Sequence, residues 1–126
     1  MIRKDYIQRY FDELAKVLAA VLQLKNDFKP TEAEAKLNDF STDYLGIPLA
    51  ELLSLNPAEV IDYLIKEKEF TLTHFKLLED ILYQQYLLKP SENHLKQMTL
   101  TTLRHTSVND TNYSIERATR IKELSV

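Results

Sequence analysis

One glycine in 126 residues is the feature that most constrains this chain. Sheets, phosphate-cradling loops and dinucleotide sites use glycine where the backbone needs positive φ or must approach a ligand closely. With Gly46 alone the chain has no P-loop and no G-x-G-x-x-G, which removes the commonest nucleotide-binding routes. Helices joined by short polar turns remain well within its means.

The apolar pattern has helical periodicity. Ile7, Tyr10, Phe11, Leu14, Val17, Leu18, Val21 and Leu22 recur at steps of three and four, with Asp5 as the expected N-cap and Lys25-Asn26-Asp27 as the end. This face is wider than one neighbouring helix needs. The first helix is therefore expected at the centre of the core, with part of its face in a homodimer interface as the competing explanation.

Punctuation along the chain places the other elements. Pro30-Thr31 opens a second helix, Thr31 and Glu34 have capping-box spacing, and Ala33, Leu37, Phe40 and Tyr44 mark its face. Gly46 is its natural stop, and Leu49, Leu52, Leu53 and Leu55 suit a short helical turn. Asn56-Pro57-Ala58-Glu59 combines a capping Asn, a proline at the first helical position and an acidic residue. That helix closes at Lys66-Glu67-Lys68-Glu69, and Thr71 or Thr73 caps one running to about Leu88. Pro90-Ser91-Glu92 reads as a break with Ser91 as cap. Residues 95–103 fit a helix through Leu95, Met98, Thr102 and Leu103, although Thr99, Thr101, Thr102 and Thr106 fit a strand as well. No second strand is present to pair with, so a helix is expected. After a polar loop over 107–111, a short terminal helix is expected to dock through Ile115, Ala118 and Ile121. The sum is one all-α domain over residues 1–126, a compact bundle of antiparallel helical hairpins with six or seven helices.

Composition narrows the function classes. A hydrophobic fraction of 44% suits a folded domain, and no apolar run approaches the roughly 18 residues of a membrane span. No cysteine means no disulfide and no thiolate chemistry. A cytoplasmic protein without membrane contact is expected. The net charge of −3 is unevenly spread: residues 30–93 hold twelve acidic and five basic side chains, while both ends are mildly basic. Solvated helix faces explain most of this. The sharper reading is an acidic surface that selects a basic partner.

Chemistry-bearing patterns are few. His74, His94 and His105 lack the i, i+4 spacing of a zinc helix and form no Glu-x-x-His pair, so neither metal nor cofactor is expected. No G-x-S-x-G surrounds any serine, and the paired carboxylates (Glu79 with Asp80, Glu67 with Glu69) are expected mostly on exposed faces, so no catalytic residue is assigned. Arg104, His105, Arg117, Arg120 and Lys122 make a modest basic cluster, too weak in an acidic chain to argue for nucleic acid. Seven tyrosines are more suggestive. Tyr6, Tyr10, Tyr83 and Tyr86 lie on helices with full aliphatic faces; burial of the rings is the plainer reading, and rings at the edge of an apolar groove, which suit a protein- or peptide-binding surface, are the sharper one.

Leu82-Tyr83-x-x-Tyr86, a break at Lys89-Pro90 and a helix from Glu92 resemble a tetratricopeptide hairpin, and Phe28-Lys29-Pro30 with Ala33 to Tyr44 resembles half of another. Tyr83 stands at the helix-contact glycine of that pattern, and Leu95 and Thr102 at its small positions. The opening Ile2-Arg3-Lys4-Asp5-Tyr6-Ile7 and closing Tyr113-Ser114-Ile115-Glu116-Arg117-x-x-x-Ile121 are similar to a family of small uncharacterised bacterial all-helical proteins, several of them tetratricopeptide-like. That resemblance implies helical hairpins and implies no activity or ligand. The expected function is a non-enzymatic protein-interaction module, binding a protein partner or itself as a homodimer. A small enzyme or ligand-binding bundle is the alternative.

Overall fold

The computed structural model describes the backbone of residues 3–126 and the side chains from Tyr6 onward. Met1 and Ile2, with the start of the family resemblance, lie outside the described residues. Seven α-helices and no strand are present among the described residues: α1 Arg3–Asn26, α2 Pro30–Phe40, α3 Leu49–Leu53, α4 Val60–Glu67, α5 Leu72–Leu88, α6 Asn93–Asn109 and α7 Ile115–Leu124. A π-helical turn, Ser41–Leu45, extends α2. The fold is an all-α bundle.

Its central helix is α5. Phe75, Leu77, Leu78, Ile81 and Leu82 are all buried, and α6, α2, α1 and the π turn pack around them. A helix apolar on several sides belongs inside. This corrects the placement expected for α1, which packs chiefly on α2 and buries only Leu14 and Val21 among its described side chains. Ile7, Tyr10, Phe11, Val17, Leu18 and Leu24 are half-buried, and Leu22 is 58% exposed. The wide face of α1 therefore reaches past its own bundle.

The α6 segment is helical throughout because its threonines satisfy themselves. The hydroxyls of Thr99, Thr102 and Thr106 each donate to the carbonyl four residues back, at 2.8, 3.0 and 2.9 Å. The three sit on one buried face beside Leu95, Met98 and Leu103. A bond to the preceding turn removes the polar cost of burying a β-branched hydroxyl residue in a helix.

Several caps differ from the sequence expectation. Asp5 lies inside the first turn of α1 and does not precede it. Lys29, not Thr31, precedes α2, and the Glu34 carboxylate faces Gln85 and Lys89 instead of closing a capping box. Asn56 forms a hydrogen-bonded turn, its side chain accepting from Ala58 N–H and its carbonyl from Glu59 N–H, so α4 starts only at Val60. Glu92, not Ser91, precedes α6, which continues to Asn109 and shortens the polar loop expected over 107–111. Thr71 does precede α5, and its N–H donates to His74 Nδ1 at 3.0 Å.

Among the described residues three take the left-handed conformation: Gly46, Phe28 and Glu69. Gly46 ends the π turn, where Ser41 Oγ donates to Ile47 O at 2.6 Å and Leu49 N–H donates to Asn38 Oδ1 at 2.8 Å. At Phe28 the Lys29 N–H reaches back to Leu24 O at 2.8 Å, the closure that glycine usually serves. A chain with one glycine has placed larger residues in the other two positions.

Candidate functional site

The four tyrosines singled out in the sequence form two pairs. Tyr6 and Tyr10, one turn apart on α1, have ring centroids 4.2 Å apart. Tyr10 meets the edge of Tyr44 at 4.9 Å, and Tyr44 stacks on the buried Phe40 at 4.9 Å. The result is an aromatic ladder rising from the core to Tyr6, which is 40% exposed. Burial, with Tyr6 beside it, pushes the Tyr10 hydroxyl up to about 12. Tyr83 and Tyr86 on α5 stand 6.4 Å apart, and among the described residues no ring–ring contact joins the two pairs.

Tyr83 is held by α7. Its hydroxyl donates to Glu123 at 2.8 Å, and the Arg120 guanidinium lies 4.2 Å above its ring centroid. Burial and the bond to Glu123 raise its hydroxyl to about 12. Tyr86 is half-buried against the core.

Beside Tyr83 lies a polar clamp that contradicts two sequence expectations. Glu79 and Asp80 are not an exposed carboxylate pair. Glu79 is 5% exposed and takes a bidentate contact from Arg117, with Nε–Oε1 at 2.7 Å and a second nitrogen on Oε2 at 2.8 Å. Asp80 accepts from Arg120 at 2.6 Å, and Arg120 also approaches Glu116 at 3.5 Å. Asp110, in the α6–α7 connection, faces Arg117 at 3.3 Å and Lys76 at 3.4 Å.

The second correction concerns α7. It does not dock through Ile115, which is 74% exposed; its buried residues are Arg117 and Leu124, with Ala118, Arg120 and Ile121 half-buried. The physical reason is composition. With so few apolar residues α7 cannot dock by hydrophobic burial alone, and two carboxylates on α5 draw its arginines inward. Two members of the basic cluster, Arg117 and Arg120, are thereby turned away from solvent.

Burial pushes the Glu79 and Asp80 carboxyls above the usual range, opposed by Arg117 and Arg120 respectively. The hydrogen bonds that Arg117 donates to Glu79 raise its guanidinium in turn. Asp110 is held low, first by the Asn112 N–H and then by Lys76 and Arg117. A cleft of about 190 Å³ opens here, with Phe11 and Ser114 on its wall. Each carboxylate in it already faces a cation, and Ser114 Oγ accepts the Arg117 N–H as the cap of α7. The arrangement fixes a helix in place.

A second groove, about 350 Å³, lies between α2, α3 and the α5–α6 turn, floored by Ala35, Leu49 and Leu53. Glu34 there accepts from Gln85 at 3.0 Å and pairs with Lys89 at 3.2 Å. Among the described residues no three His, Asp or Glu side chains gather as a metal site, and no helix is long and apolar enough to cross a membrane.

Sequence reasoning named Glu79, Asp80, Arg117 and Arg120 but did not join them, and it missed Asp110 and Lys76. The signal was the poverty of apolar residues in α7, which requires polar partners for docking. Comparison of the chain with family models, with curated proteins and with solved structures returns no match.

Proposed function

We propose that the chain is a non-enzymatic helical protein-interaction module that docks through the N-terminal edge of α1, with self-association as its simplest mode. The observation that carries this reading is the Tyr6–Tyr10–Tyr44 ladder on a helix that fully buries only Leu14 and Val21 among its described side chains. Rings fixed in place before binding lose little conformational freedom on association. Tyr6, 40% exposed at the outer end of the ladder, offers an apolar ring face with a polar rim. Val17, half-buried and two turns on from Tyr10, continues this edge along α1. The tetratricopeptide resemblance supports the same reading, since the α5–α6 pair is a hairpin joined by a short proline-containing turn.

Light scattering over a range of concentrations tests it. The mass is expected to rise from 14.8 kDa toward twice that value, and Tyr10→Glu is expected to hold it at the monomer without loss of helical circular dichroism. A constant monomer mass for the unaltered chain, with no partner protein whose binding Tyr10→Glu abolishes, overturns the proposal.

A further inference from the structure

We propose that the α5–α6 face beneath α7 is a helix-docking site that a second copy of this chain can occupy with its own α7, the two copies exchanging terminal helices. This rests on the reading of the chain as an interaction module but uses different residues.

The occupant is defined by what the face already holds. Along α7 the anchoring side chains are Arg117, Arg120 and Leu124, at steps of three and four, while Ile115 points away at 74% exposure. The face answers both arginines. Glu79 receives Arg117 in bidentate geometry, Asp80 receives Arg120, and the Tyr83 ring lies under the same guanidinium. At the far end Arg104 donates to Ser125 at 3.3 Å and Lys96 to the Val126 backbone oxygen at 2.8 Å, which fixes α7 antiparallel to α6. Charge complementarity extends beyond these contacts: residues 30–93 carry twelve acidic and five basic side chains, whereas 94–126 carry five basic and three acidic.

The energetics permit exchange. α7 has ten residues, too few for a stable isolated helix, so it is helical only while docked. Its docking leans on ion pairs whose Coulomb gain is largely offset by desolvation, and such pairs set orientation more than they add net stability. The tie to α6 is the short connection between Asn109 and Ile115, which contains no left-handed residue. Opening it and docking α7 on a second copy re-forms the Glu79–Arg117 and Asp80–Arg120 pairs, so exchange alters the connection, Asp110 included, and adds the cost of association.

The test uses the full chain carrying Tyr10→Glu, which removes association through the tyrosine edge, in two batches labelled at the N-terminal amine with a donor or an acceptor fluorophore. The batches are mixed, warmed to the foot of the melting transition and cooled. Energy transfer and a mass near twice 14.8 kDa are expected. A synthetic peptide of residues 111–126, added in excess before cooling, is expected to reduce the transfer at least tenfold. The same peptide carrying Arg117→Ala and Arg120→Ala is expected to leave it unchanged. The unaltered chain should show a further transfer that the peptide does not suppress, which separates this surface from the tyrosine edge. No energy transfer after full recovery of helical signal overturns the proposal, as does transfer that neither peptide suppresses or that both suppress equally.

Discussion

Replacing Arg117 by alanine removes the cationic half of a buried ion pair. The substitution deletes three donor contacts to Glu79, at 2.7, 3.1 and 2.8 Å, and one to Asp110 at 3.3 Å. It leaves the Glu79 carboxylate 5% exposed with no cation in bidentate reach. Breaking a buried pair from one side costs about 3–5 kcal/mol, because the remaining charge keeps its desolvation penalty. For a domain of this size each kcal/mol moves the melting temperature by about 3–5 °C, so a fall of roughly 10–20 °C is expected. Urea and thermal unfolding followed by circular dichroism measure it. The double substitution Arg117→Met with Glu79→Leu removes both charges and fills their space, and should return stability to within about 2 kcal/mol of the starting chain or above it. Asp110 keeps Lys76 and the Asn112 N–H in that background. A single variant that loses less than about 1 kcal/mol, or a double variant as unstable as the single, refutes the clamp as the anchor of α7.

Three further outcomes follow from local geometry. Burial holds His74 below its ordinary 6.5, and its Nδ1 accepts the Thr71 N–H, so protonation favours the unfolded chain. Its contribution is complete above 6.5 and is lost as pH falls below that value toward the lowered one; His74→Gln, which can still reach back to the cap, should show a shallower loss of stability from about pH 7 to 5.5, and equal slopes would contradict this. Phe28 is left-handed and 90% exposed, so Phe28→Gly should raise the urea midpoint by about 0.5–1 kcal/mol of stability. Gly46→Ala meets no atom within 4 Å and should cost about 1–2 kcal/mol through φ alone; the reverse ranking would show that sterics at these turns are misjudged.

Much of the fold is legible in the sequence because helix boundaries carry local chemistry. Gly46 as a stop, the charged end of α4 at Lys66-Glu67 and the threonine before α5 are each found where their residues predict. The π turn is not legible, since nothing in Ser41-Thr42-Asp43-Tyr44-Leu45 distinguishes it from another helical turn. Centrality is harder still. α1 and α5 both read as broadly apolar, and which one lies inside depends on how many neighbours the topology supplies. The clamp was least legible because its halves are 38 residues apart, and each half alone reads as a solvated charged face. Side chains such as Thr31, Glu34 and Ser91 show the limit of capping spacing: Glu34 has stronger tertiary partners, and the turn at Lys89–Glu92 sets its own geometry.

The central claim is that the Tyr6–Tyr10 edge of α1 is the docking surface, and fluorine NMR of the chain carrying meta-fluorotyrosine tests it most directly. With resonances assigned by single Tyr→Phe substitutions, spectra are recorded from dilute to concentrated protein. The account predicts that Tyr6 and Tyr10 shift or broaden with concentration, and that Tyr44 follows them through its 4.9 Å contact, while Tyr63 and Tyr86 stay fixed. Tyr6 and Tyr10 resonances that do not move while other tyrosines do would contradict it.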